Sequence, residues 1–201
     1  MTAASHLRAA QPAPSPVHVS ARVAARAETV QLGVRLAAVT LAGVVVAAAV
    51  VRVALAPQAR VWLGYSFRGI PARVNAAVAI FAHNGRAILG VFGLLLIAQI
   101  AARAPGGPVL RIIRTGGELI LACVIAANAL VVGAALGAYG QRMVRAVLPH
   151  GPVELAAYTA ALALYLQGRR RALPMGHLAT VAGASVALLA LAAALETFVN
   201  V

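Results

Sequence analysis

The chain alternates long apolar runs with short arginine-bearing connections, and this alternation predicts its elements. A helix crossing the hydrocarbon core of a bilayer needs about 20 consecutive apolar residues, with a range of about 17–25. Five stretches read as such spans: residues 36–56, 76–102, 117–140, 152–167 and 178–199. The fourth falls a little short of the range, so it demands an untilted path or local thinning of the bilayer. Residues 1–30 are expected to form a separate disordered or basic tail. Its first part, MTAASHLRAAQPAPSPV, is rich in Ala, Pro and Ser without an apolar period, and it lacks a signal peptide's apolar core. From His18 to Arg35, arginine alternates with Val, Ala and Leu. That pattern fits either a basic segment lying on the headgroup surface or an extension of the first span. Residues 31–201 then form one integral membrane helical domain. The predicted fold class is all-α, a polytopic transmembrane helical bundle of about five spanning helices.

Composition sharpens the picture. Of 201 residues, 62% are hydrophobic and 10% charged, and the mean hydropathy is +0.91. That leaves too little polar surface to coat a soluble domain of this size. The apolar content is Ala, Val and Leu rather than aromatic, and small side chains let helices approach closely in lipid, where packing drives association. The net charge of +13 comes from 17 basic residues, all arginine, against Glu28, Glu118, Glu154 and Glu196. These arginines sit between apolar runs instead of along one face with interleaved aromatics, so they point to anionic headgroups and not to nucleic acid. Cys123, the single cysteine, lies in an apolar run and forms no disulfide.

The arginines also orient the chain. With the N-terminus in the cytoplasm, ten of them face inward: Arg8, Arg22, Arg26, Arg35, Arg103, Arg111, Arg114 and Arg169 to Arg171. Six face outward: Arg52, Arg60, Arg68, Arg73, Arg142 and Arg145. The excess predicts a cytoplasmic N-terminus and an extracytoplasmic C-terminus. The first outer connection, APQARVWLGYSFRGIPAR, mixes Trp62, Tyr65 and Phe67 with arginines. It reads as a segment at the outer interface or as a partner-docking surface.

Polar residues inside the runs are the candidate chemistry. FAHNGRAILG places His83, Asn84 and Arg86 within the second span, where an ionisable group is costly. Arg86 either joins a buried site or extends outward along its stem. Asn128 lies in the middle of the third span, with an interhelical hydrogen bond as its expected role. On the same helix Gly133, Gly137 and Gly140 have the spacing of a close-packing groove. TGGE, Thr115 to Glu118, has capping-box spacing at a helix start. In LPHGPVEL, Pro152 suits the first helical position, and Glu154 then meets the free N–H groups and positive end of the helix dipole. His150 and Glu154 lie in the same outer half as His83, Asn84 and Arg86, so Glu154 is expected to pair with Arg86 or His83 as well.

FAHNGRAILGVFG, the mid-helix Asn128 with Gly133 five residues on, and LPHGPVEL resemble the stage II sporulation protein M family over about residues 76–171. The PHG-x-x-E segment is the most specific part. The family usually has two asparagines where this chain has His83 and Asn84, and Asn-Gly where it has Asn128 and Ala129. The resemblance implies a multi-pass protein of the bacterial cell membrane that anchors a complex for peptidoglycan remodelling, with cell-wall hydrolases as partners. Relatives occur in bacteria that form no endospores, so membrane assembly is implied more broadly than sporulation.

Three function classes follow. A non-enzymatic scaffold or anchor fits best: the chain has no aspartate, no HExxH, no nucleophile elbow and no cofactor motif. Its partners would be membrane lipids and other membrane or envelope proteins, a second copy of the chain included. A transporter or channel subunit would use His83, Arg86, Glu154 and Asn128 as a polar path, although no inverted repeat is visible. An intramembrane enzyme would need His177 and Ser185 to work together from eight residues apart.

Overall fold

The computed structural model describes residues 16–67, 71–103 and 107–199, and among them every regular element is helical. The elements are α1 (Pro16–Val50), a π-helical turn (Val51–Leu55), α2 (Ala56–Leu63), α3 (Val74–Arg103), α4 (Pro108–Tyr139), α5 (Gln141–Val147), α6 (Gly151–Gly168) and α7 (Met175–Phe198). Residues 1–15 lie outside the described set, and the expected tail boundary at residue 30 falls inside α1.

The first helix does not stop at residue 56. Pro57, at the start of α2, lacks an N–H and its ring crowds the carbonyl of Val53, four residues back. The chain absorbs this with the π turn and continues helically to Gly64, whose positive φ of 59° ends it. Half of the expected outer connection is therefore a helical extension. Similarly, α4 begins at Pro108, capped by Gly107, so TGGE lies inside a helix and is not its start. Gly117 has a packing reason there, since a Cβ on it would collide with the Leu94 side chain of α3, whereas one on Gly116 would meet nothing within 4 Å.

Among the described residues four helices are long and apolar enough to cross a membrane: Ala24–Leu63 (α1 with its extension), Val74–Ala101, Pro108–Tyr139 and Met175–Phe198. The expected fifth, 152–167, is not among them. As α6 it occupies the interior, packed between α1, α3 and α7. Ala157, Ala161, Ala163, Leu164 and Tyr165 are all buried, and Glu154 and Gln167 stand near its two ends. A helix covered by protein needs small side chains for close approach more than the continuous apolarity that lipid demands. With Phe81, Ile88, Val91, Leu94 and Leu95 of α3 and Leu189 of α7, it forms the core.

Contacts fix the helix directions. Thr29 of α1 meets Gln167 at the end of α6, while Gly133 and Gly137 of α4 meet α1 at Ala47 and Ala48 in matching order. Asn84 pairs with Glu154, and Gln99 with Gly168, so α3 and α6 run together. Gln167 meets His177 across the 169–174 turn, which reverses α7. Hence α1, α4 and α7 run one way and α3 and α6 the other. The start of α1 lies at the end of the bundle that holds Arg171, and the end of α7 at the end that holds Glu154.

Candidate functional site

The interior polar groups gather at the two ends of α6. At the Glu154 end, Asn84 Nδ2 donates to Glu154 Oε1 at 2.6 Å, and the Tyr158 hydroxyl donates to the Asn84 carbonyl at 3.1 Å. A shallow, open cleft of about 330 Å³ adjoins this trio, lined by Ala79, Ile80, His83, Asn84 and Glu196. Glu154 does not pair with Arg86 or His83: among the described residues it makes no salt bridge, and both of those side chains are exposed. The reason is angular. Asn84 and Arg86 are two residues apart on α3 and point to nearly opposite faces, and the face turned to α6 is that of Asn84. His150 supplies the carbonyl that accepts the Glu154 N–H at 3.0 Å. Its imidazole has no hydrogen-bond partner among the described residues.

Asn128, expected to bridge helices, is exposed and donates to the Val124 carbonyl one turn back on its own helix at 2.9 Å. Gly133 and Gly137 do pack against α1. A Cβ on Gly133 would stand 2.6 Å from Ala47 Cβ, and one on Gly137 would strike the Ala48 carbonyl oxygen. Gly140 serves a different purpose, since its φ of 57° terminates α4 and turns the chain into α5. Beside it, Arg60 Nε donates to the Ala138 carbonyl at 2.7 Å, and Tyr65, Phe67 and Tyr139 form an aromatic cluster capped by the Arg142 guanidinium.

The Arg171 end holds a larger network. Gln167 Oε1 stands 3.0 Å from Thr29 Oγ1 and 3.2 Å from His177 Nε2, and Gln167 Nε2 donates to the Ala25 carbonyl. His177 Nε2 also stands 3.1 Å from Thr29 Oγ1, so the three side chains close a triangle. Gln99 spans the 169–174 turn, donating to the carbonyls of Gly168 and Arg171 and accepting from the Leu173 N–H. Arg171 pairs with Glu28. Glu118, freed from a capping role, accepts from the Tyr165 hydroxyl at 2.5 Å and faces Arg114 and Arg169.

Gln99 and Gln167 were legible by the signal that singled out Asn128, an amide within an apolar run, whereas Thr29 stands ahead of the first run and carried no such signal. Ser185 is buried and donates to the Val181 carbonyl on its own helix, away from His177. Among the described residues no three His, Cys, Asp or Glu side chains come together to hold a metal ion. Four long apolar helices around a short interior one fit a multi-pass membrane protein. No protein-family model, curated protein or solved structure matches the chain.

Proposed function

We propose that this chain is a non-catalytic membrane scaffold that holds partner envelope proteins in the bilayer. The observation that carries the reading is the separation of the two polar clusters. Between them α6 presents Ala157, Ala161 and Leu164, each 0% exposed, against Ile88, Val91 and Leu189. Asn84 and Glu154 at one end and Thr29, Gln167 and His177 at the other are engaged in joining helices, and a mainly apolar layer divides them, which favours a rigid anchor over a conduit. The exposed apolar flanks of α1 and α4 leave room for lipid or neighbouring helices. The likeness of FAHNGRAILGVFG and LPHGPVEL to the stage II sporulation protein M family supports a place in the bacterial cell membrane with cell-wall hydrolases among the partners, and the ten-to-six arginine excess supports a cytoplasmic N-terminus. Purification from the native membrane in mild detergent tests this. Envelope hydrolases or other envelope proteins should co-purify in stoichiometric amounts; transport subunits, or the chain alone, would overturn it.

One observation favours a second reading, a transporter subunit: the cleft beside Asn84, His83 and Glu196 opens next to the Glu154 carboxylate. Solute or proton flux in reconstituted vesicles, abolished by Glu154→Gln, would establish that reading instead.

A further inference from the structure

α4 carries Arg111, Arg114 and Glu118 at positions i, i+3 and i+7, so all three lie within a narrow arc of one helix face. That face is turned to the end of α6, because Glu118 meets Tyr165 and Arg169 there. Two guanidinium groups, of Arg114 and Arg169, thus share one carboxylate, with Arg111 on the same face one turn nearer the start of the helix. The carboxylate is already engaged: the Tyr165 hydroxyl donates to Oε1 at 2.5 Å, leaving Arg114 Nε at 3.8 Å and Arg169 Nη1 at 3.5 Å. Both separations exceed the roughly 2.7–2.9 Å of a charge-assisted hydrogen bond. Arg114 Nε is buried and has no hydrogen-bond partner at all. Arg111 is exposed and makes no ion pair among the described residues. With three arginines to one glutamate the site has a surplus of positive charge, which suits an anion with several acceptor oxygens.

Its surroundings choose among anions. Ile112 and Leu119, seven residues apart on the flank beside that arc and leading toward the apolar part of α4, are 71% and 66% exposed. The site also stands at the start of a helix long and apolar enough to cross a membrane, the depth at which headgroups sit. We propose that Arg111, Arg114 and Arg169 bind the phosphodiester of an anionic phospholipid, whose acyl chains lie along Ile112 and Leu119. Arg111 and Arg169 hold the phosphate oxygens from two helices, and the Arg114 side chain, 35% exposed, adds its charge beside them. Exposed Arg103 and Arg170, at the same end of the bundle, strengthen the attraction for an anionic over a zwitterionic headgroup.

The experiment uses the whole chain, delipidated in an uncharged detergent. It is titrated separately with phosphatidylglycerol, phosphatidylcholine and inorganic phosphate, and bound ligand is counted by native mass spectrometry alongside the melting temperature. Phosphatidylglycerol should be retained and should raise the melting temperature, while phosphatidylcholine and phosphate at equal concentration do neither. Arg111→Gln should weaken phosphatidylglycerol retention about fivefold, as expected for one basic residue at a headgroup, without changing the melting temperature of the lipid-free protein. Adding Arg169→Gln should weaken it further, and Arg142→Gln, at the opposite end of the bundle, should leave it intact. Equal retention of phosphatidylcholine, a phosphate effect as large as the lipid's, or unweakened binding by Arg111→Gln would overturn the proposal. So would an equal loss on Arg142→Gln, which would reduce the effect to net charge.

Discussion

Gln167 shows how one amide can tie three helices. Its oxygen faces Thr29 of α1 and His177 of α7, and its nitrogen reaches the Ala25 carbonyl. Replacing it with leucine keeps the bulk but removes the amide that ties Thr29 and His177 together, leaving those two only each other at 3.1 Å. Gln167→Leu should therefore destabilise the protein by roughly 0.5–1.5 kcal/mol for each hydrogen bond lost. Thermal unfolding in detergent measures this, and an unchanged midpoint would mean the network is not formed. At the other end, the double-mutant cycle that matters pairs Glu154 with Asn84 and not with Arg86. Asn84→Leu and Glu154→Leu should be coupled by roughly 0.5–3 kcal/mol, whereas Arg86→Leu adds to Glu154→Leu without coupling. Coupling to Arg86 instead would place that guanidinium at the carboxylate. The sequence marks residues such as Asn84, Glu154 and Asn128 as polar groups in an apolar run, but not where each one turns. Asn128 satisfies itself on its own backbone, and Asn84 instead of its ionisable neighbours faces α6.

At the scale of elements, run length and punctuation carried far: α3 and α7 begin and end within three residues of the predicted 76–102 and 178–199. The misses share a cause. Hydropathy windows cannot see that a helix continues through polar residues, so α1 and α4 both extend beyond their apolar stretches. Nor can they tell lipid-facing apolarity from protein-facing apolarity, which is why the short, Ala-rich α6 read as a weak span rather than as the centre. The glycine spacing was more informative, since two of the three glycines it picked out lie against α1. Gly133→Leu and Gly137→Leu should each force α1 and α4 apart and cost about 1–3 kcal/mol or more through overpacking. Gly183, where an added Cβ meets nothing within 4 Å, supplies the contrast. Gly183→Ala should raise the melting temperature slightly, since alanine is favoured over glycine within a helix by about 1 kcal/mol. Equal effects at all three positions would mean that α1 and α4 are not in close contact.

For the whole molecule, the decisive question is whether α6 carries the chain from one side of the bilayer to the other. It is 18 residues long, about 27 Å at 1.5 Å per residue, close to the roughly 30 Å of the hydrocarbon core. It also runs antiparallel to α1 and α7 within the bundle, so the α4–α6 connection and the α6–α7 turn lie at opposite ends. Among the described residues four helices are apolar enough to cross unaided; a crossing by α6 under protein cover would add a fifth. We therefore predict that cysteines introduced as Ala146→Cys and Ala172→Cys, both exposed positions, report opposite sides. With Cys123→Ala as the background, a membrane-impermeant maleimide added to intact cells should label the first and spare the second. The second should react only after the membrane is opened. Labelling of both from outside, or of neither, would mean that α6 enters and leaves on one side. Labelling of the second alone would keep the five crossings and invert them, setting the ten-to-six arginine excess against the positive-inside rule. The outcome also bears on the lipid site, because Arg111, Arg114 and Arg169 share the end of the bundle that holds Ala172. If that end faces the cytoplasm, the phospholipid they bind belongs to the inner leaflet.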